Sequence, residues 1–118
     1  MAWNIRITDE ARKDYGKIEG SIRKQVLAGI IKVSKAPMPS PNGYGKPLGN
    51  KGGNNLTGFF KIKYRGIGIR VVYTLVIDKM TMNIMVISQR DDSYCYDLAA
   101  KLYEKYGEDV FKDVFGEF

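Results

Sequence analysis

The sequence predicts an α+β fold: an N-terminal strand, a two-helix hairpin, a three-stranded antiparallel meander (about four strands in all) and a C-terminal helix. Three observations predict it. Apolar residues alternate with polar ones at the start of the chain and again after residue 59, the period of strands with one buried face. Between them, and again after residue 93, apolar residues recur at three- and four-residue spacing, the period of helices. The 118 residues, 44% of them hydrophobic and 12% aromatic, suffice for one core and are too few for two. One domain over residues 1–118 is therefore expected, with 107–118 as an acidic C-terminal extension.

Taken in order, Trp3, Ile5 and Ile7 alternate with Asn4 and Arg6 and predict the first strand. Thr8 is placed to cap a helix whose first turn carries Asp9 and Glu10, where negative charge suits the helix dipole; Ala11, Tyr15 and Ile18 mark its apolar stripe and Gly20 ends it. Ser21 opens a second helix with Ile22, Val26, Ile30 and Val33 on one side, which stops before Pro37 because the residue preceding a proline is pushed out of the helical region. Residues 37–58 hold all four prolines and six of the thirteen glycines and predict a long loop carrying Lys46 and Lys51. Three strand-like runs follow, Phe59 to Arg65, Gly68 to Ile77 and Met82 to Ile87, with turns at Gly66 and Asp78-Lys79. Asp92 or Ser93 then caps a helix in which Tyr94, Leu98 and Leu102 share a face, and Gly107 ends it. In the extension, Val110-Phe111 and Val114-Phe115 stand four residues apart, as in a short amphipathic helix.

The formal net charge of +6 is unevenly spread. Between Glu19 and Asp78 there is no acidic residue, while ten lysines and arginines fall in that interval; from Asp91 to Phe118 eight acids stand against three lysines. A one-signed block favours a polyanion through steering and counterion release, whereas a merely solvated surface usually mixes signs. No run approaches the roughly 18 apolar residues of a membrane span, and the N-terminus lacks the apolar core of a signal peptide, so a cytoplasmic protein is expected. A chain with no histidine and a single cysteine, Cys95, forms no internal disulfide and offers no zinc site; no metal or other cofactor is expected, and Cys95 reads as a small core residue.

Alternation along the first meander strand puts Phe60, Ile62 and Tyr64 on one face and Lys61, Lys63 and Arg65 on the other, three cations within about 14 Å. On the next strand Ile69, Val71, Tyr73, Leu75 and Ile77 form the buried set and Arg70 leads the opposite face. Like charges on adjacent strands are destabilising, so such a cluster points to a bound anion. Arg90 ends the third strand and Tyr96 follows about one helical turn into the next element, which allows both to border the cationic face.

These residues carry a resemblance. The run Phe60-Lys61-Ile62-Lys63-Tyr64-Arg65-Gly66-Ile67-Gly68-Ile69-Arg70-Val71-Val72-Tyr73 resembles the central hairpin of RelE-type toxins, in the RelE/ParE superfamily. There an aromatic-Lys-x-Lys-x-Arg strand is followed by Arg-x-x-Tyr. Val86-Ile87-Ser88-Gln89-Arg90 followed by Tyr96 is similar to the family's last strand and the tyrosine beyond it, and the match in element order runs from Trp3 to about Tyr103. The resemblance implies a toxin of a type II toxin-antitoxin system, an endoribonuclease that cleaves messenger RNA in the ribosomal A site by attack of the RNA's own 2′-hydroxyl. It implies catalytic roles for Lys61, Lys63, Arg70, Arg90 and Tyr96, with Arg65 holding substrate; Lys46 and Lys51 are candidate RNA contacts. Its implied partners are messenger RNA, the ribosome and a cognate antitoxin through which the complex binds operator DNA.

The chemistry needs a base for the 2′-hydroxyl proton, cations for the phosphate and an acid for the leaving 5′-oxygen. Lys63 or Tyr96 is assigned as base, Arg70 as phosphate clamp, Arg90 as transition-state stabiliser or acid-side partner, and Lys61 as electrostatic support. A tyrosine among cations is expected to shift toward its phenolate. Where relatives often carry further basic residues beside the last-strand arginine, this chain has Gln89, Asp91 and Asp92, which should weaken phosphate binding at that corner. Two other readings compete: a ParE-like gyrase poison of the same fold, which does not use this residue set, and a non-enzymatic RNA-binding domain.

Overall fold

A computed structural model describes residues 2–118. The chain runs β1 (Asn4–Ile7), α1 (Asp9–Gly16), α2 (Gly20–Ser34), β2 (Lys46–Lys51), β3 (Asn54–Tyr64), β4 (Ile69–Val76), β5 (Thr81–Ser88), α3 (Asp92–Tyr106) and β6 (Gly116–Glu117). The α+β class and the order of the main elements are as expected, but the sheet has six strands, ordered β2-β3-β4-β5-β1-β6. The β1 strand lies parallel to β5, because the helical hairpin carries the chain across the sheet, and the other pairings are antiparallel.

Helices cover both faces of this sheet. The α1–α2 hairpin packs Ala11, Ile18, Val26, Ile30 and Val33 on Phe60, Ile69, Val71, Tyr73 and Ile84. On the other face, α3 packs Cys95, Tyr96, Ala99 and Leu102 on Phe59, Val72, Met85 and Val86. All eight residues of β5 are buried, which is why its sequence lacks a clean polar–apolar alternation. Among the described residues no helix is long and apolar enough to cross a membrane.

The helix boundaries show which capping signals prevailed. Thr8 caps α1 as expected, accepting from the amide of Ala11 at 3.0 Å while its hydroxyl donates to the carbonyl of Met85 at 3.1 Å. Gly20 opens α2 where the sequence suggested it would close α1, and the cap is Glu19, not Ser21: the Glu19 carboxylate accepts from the amides of Ser21 and Ile22. A carboxylate that satisfies two free amides displaces a hydroxyl that can satisfy one. α3 is likewise capped one residue before the expected positions, by Asp91, which accepts from the amide of Tyr94 at 2.9 Å. The buried face of α3 is also rotated: small Cys95 and Ala99 let the helix lie close to the sheet, leaving Leu98 at the margin and Tyr94 exposed. One helix crossing is equally tight. The Tyr64 hydroxyl donates to the carbonyl of Val26 at 2.6 Å, and its ring fills the space beside Gly29, where a β-carbon would stand 2.7 Å from Cζ.

Two segments differ from expectation more deeply. Residues 37–58 are not a single loop, because Lys46–Lys51 pairs with β3 as an edge strand and β3 begins at Asn54. Pro47 is tolerated at the edge, and Gly52 and Gly53, both at positive φ, make the turn. The extension is not an α-helix. After Gly107 (φ 59°) it makes one 3-10 turn and then pairs as β6 with β1. The cause lies in the core: Thr74 donates to the carbonyl of Val110, and the Asn83 amide donates to those of Val110 and Lys112 at 3.1 and 3.0 Å. Buried side chains of β4 and β5 thus hold carbonyls that a helix would have paired internally.

Candidate active site

The β3–β4 register sets Lys63 directly opposite Arg70 and Lys61 opposite Val72, while Lys46 on β2 stands opposite Lys61. Lys46, Lys61, Lys63 and Arg70 therefore share the face of the sheet that α3 covers, beyond the start of that helix. Into this cation group the first turn of α3 inserts a carboxylate. Asp92 accepts from Nε of Arg70 and lies 3.8 Å from Nζ of Lys63. The anion that the cluster called for is thus supplied by the chain itself.

The electrostatics follow. Burial pushes the Asp92 carboxyl up, but the hydrogen bond from Arg70 and the charges of Arg70, Lys63 and Lys61 outweigh it and hold the group below its ordinary value. Tyr96 lies one helical turn after Asp92, mostly buried beside Arg70. Its phenol moves opposite to the sequence expectation: burial, then the charges of Asp92 and Cys95, push it up, and Arg70 only partly opposes them. Burial first, and then the Asp92 carboxylate, outweigh the cationic surroundings on which the phenolate argument depended.

Arg90 stands apart from this group. Its backbone accepts from Arg70 (Nη1 to carbonyl, 3.1 Å), and its own amide donates to Oγ of Ser88 at 2.9 Å. Its guanidinium, however, lies 4.2 Å above the ring of Tyr94 and borders a cleft toward α1. Arg65 follows β3 in the exposed turn. Lys51 pairs with Asn54 at the far end of β2, seven residues along β3 from Lys61 and so about 23 Å away. The structure thus brings together Lys61, Lys63, Arg70, Tyr96 and Lys46, sets Arg90 at the border, and leaves Lys51 distant.

Asp91 and Asp92, equivalent in sequence as an acidic corner, do different things: Asp91 caps a helix and Asp92 binds two cations. The four-residue spacing from Asp92 to Tyr96, which puts both on one helix face, was the available signal. The acidic extension does not cover the site. Its ion pair from Asp113 goes to Arg6 on β1 (3.1 Å), and its aromatic residues pack on Phe59, toward the start of β3, and on Tyr106 at the end of α3.

No family model matches the sequence. The chain is 24% identical over 101 residues to the mRNA interferase toxin RelE of Escherichia coli K12, covering 86% of this chain and 97% of the relative, and equally to the mRNA interferase RelE of Shigella flexneri. In structure it resembles a mutant E. coli RelE toxin in the free state (TM-score 0.67, 24% identity, 86% of this chain and 98% of the other). It also resembles a RelBE toxin–antitoxin complex from Mycobacterium tuberculosis (TM-score 0.61, 25% identity, 78% and 95%). In sequence over most of its length and in fold, the chain is similar to RelE-type toxins.

Proposed function

We propose that this protein is the toxin of a type II toxin-antitoxin pair and cleaves messenger RNA in the ribosomal A site without a metal ion. The observation that carries the reading is the convergence of Lys63, Arg70 and Tyr96 on one point already occupied by a carboxylate, Asp92. A phosphate diester entering there meets the same guanidinium and ammonium groups in place of the Asp92 oxygens. Arg70 clamps the non-bridging oxygens, and Lys61 and Lys63 balance the charge that builds on them as the 2′-oxygen bonds to phosphorus.

A phenol pushed up by burial favours the acid role for Tyr96 over the base role. It stays protonated at neutral pH and gives its proton to the 5′-oxygen as the P–O5′ bond breaks, leaving a 2′,3′-cyclic phosphate and a 5′-hydroxyl. Removal of the 2′-hydroxyl proton then falls to Lys63 acting as the neutral amine, and the proton it gains makes it the ammonium that balances the phosphate charge. Arg90, bound through its carbonyl to Arg70, steers the strand past the cluster, and Arg65 and Lys46 extend the cationic track on either side. Positioning by the ribosome supplies the alignment that so few groups do not impose alone. The RelBE complexes among the structural relatives support an antitoxin partner for this chain.

The test is induction of the chain without a partner, followed by primer extension on translated messages. New 5′ ends inside reading frames are expected, at least tenfold fewer with Tyr96→Phe at equal protein level. Growth arrest with no new ends and falling gyrase supercoiling would establish the ParE-like alternative. RNA binding without cleavage, unchanged by Tyr96→Phe, would establish a non-enzymatic domain.

A further inference from the structure

Ser88 places a hydroxyl at the end of a strand that is otherwise largely apolar and wholly buried. It follows Val86 and Ile87 in β5 and is itself 6% exposed, where a hydroxyl costs stability unless it is bonded. Its bond goes to the turn that leads into α3. Oγ accepts from the amide of Arg90 at 2.9 Å. On the other side of the same residue, the Arg90 carbonyl accepts from Nη1 of Arg70 at 3.1 Å and from the thiol of Cys95 at 3.7 Å. Both peptide groups that flank the α-carbon of Arg90 are therefore held, one by Ser88 and the other by Arg70 and Cys95. The sheet register brings Ser88 to the site as well. Lys63, Arg70 and Ser88 stand opposite one another on β3, β4 and β5, one row across three strands.

We infer that Ser88 is a positioning residue for the cleavage, holding the β5–α3 turn so that Arg70 and Arg90 are set together before substrate arrives. This rests on the ribonuclease reading above. Ser88 is buried and touches no substrate, so its effect passes through the two arginines. Arg70 uses Nε on Asp92 and one Nη1 proton on the Arg90 carbonyl, which leaves the rest of its five donors for a phosphate. The direction those donors face follows from where the Arg90 carbonyl stands, and the Ser88 bond fixes the residue that carries it. Without the hydroxyl, the Arg90 amide loses its acceptor and the turn relaxes, taking the Arg70 guanidinium with it. Donors fixed in advance need no reorganisation as charge develops on the phosphate, and a displacement of about 1 Å can cost about a hundredfold in rate.

The test compares Ser88→Ala with Ser88→Thr, which keeps the hydroxyl and suits a strand. Hydrogen exchange of the full chain, followed by NMR, should show the Arg90 amide at least tenfold less protected in Ser88→Ala and close to the wild type in Ser88→Thr. Single-turnover cleavage of message on programmed ribosomes should slow at least tenfold in Ser88→Ala, with the half-saturating toxin concentration changed less than about twofold, and Ser88→Thr should restore the rate. Ser34→Ala removes a comparably buried hydroxyl, which donates to the carbonyl of Ile31 at the end of α2, and should cut at the wild-type rate. Unchanged protection of Arg90, an undiminished rate in Ser88→Ala, or equal losses in the alanine and threonine variants overturns the positioning role. So does a loss in Ser34→Ala as large as that in Ser88→Ala, since any buried hydroxyl would then serve. The exchange measurement separates the two claims. Lost protection in Ser88→Ala, in a chain whose wild type cuts no message, would refute the ribonuclease and keep the clamp on the turn. A cutting wild type with Ser88→Ala at full rate would refute the positioning role alone.

Discussion

Replacing Asp92 by Asn should strengthen RNA binding, because it removes the carboxylate that competes with phosphate for Arg70 and Lys63. The magnitude can be worked from the geometry. A phosphate on Arg70 takes the place of an anion bonded to Nε, so it approaches the Asp92 oxygens to about 4 Å, where two unit charges repel by about 1 kcal/mol in water and about 4 kcal/mol at an effective dielectric near 20. The Asp92 side chain is 39% exposed, so screening keeps the effect near the lower figure, about 1–2 kcal/mol, or five- to thirtyfold in affinity. The formal net charge rises by one unit from +6, and two cations are released for phosphate. The slope of log affinity against log salt should therefore steepen, by about 0.7 for each additional phosphate neutralised on a single strand. Fluorescence anisotropy with a short single-stranded RNA, repeated over a salt series, measures both quantities. The reasoning is refuted if Asp92→Asn binds no tighter with an unchanged slope, for then the carboxylate would only position Arg70. Acid should not mimic the substitution at mild pH, because the carboxyl is held below its ordinary value and stays ionised until the pH falls through that lowered value.

Three further substitutions test the fold. Gly29→Ala forces a methyl into the Tyr64 ring and should cost about 1–3 kcal/mol in urea denaturation; a loss under about 0.5 kcal/mol would mean the α2–β3 crossing is looser than described. Asn83→Ala removes the amide that holds the carbonyls of Val110 and Lys112, so limited proteolysis should cut near Phe111 and Phe115 at least tenfold faster, with the remainder of the chain still protected. Glu10 accepts from the Tyr106 hydroxyl at 2.7 Å and joins α1 to α3. Burial opposes its ionisation, but the bonds from Lys105 and Tyr106 hold it below its ordinary value. Its contribution is therefore complete above the ordinary carboxylate pKa and disappears as pH falls through the lowered one. Glu10→Gln should accordingly cost about 1 kcal/mol at pH 7, and the gap to the wild type should close on acidification rather than on alkalinisation.

The elements with strong periodicity were legible in the residues: β1, the two helices after it, the three central strands and α3. The cation set on β3 and β4 was legible too, because alternation fixes which side chains share a face. Three features were not, each for a physical reason. β2 is an edge strand rich in proline and glycine, and its pairing is decided by β3 rather than by its own composition. The path of the extension is set by Thr74 and Asn83, polar residues inside buried strands whose partners lie more than 25 residues away in sequence. That spacing left the Val–Phe pairs of the extension reading as a helix. The role of Asp92 depended on where α3 begins, and a shift of one residue at the cap moves a carboxylate from the helix terminus into the site. Tyr96 is buried at the same place, and burial first, then the Asp92 charge, pushes its phenol up, opposite to the shift the sequence suggested.

The short β6 strand has a consequence for the order in which the molecule is completed during synthesis. It pairs with β1, Phe118 donates to the carbonyl of Ile5 at 3.2 Å, and Arg12 in α1 donates to the carbonyl of Glu117. The stretch that seals the edge beside the first strand is therefore made after everything it seals. A chain still being translated has Lys61, Lys63 and Arg70 outside the ribosome before that edge is closed. β6 can therefore pair with β1 only after the strands that carry the cations have been made.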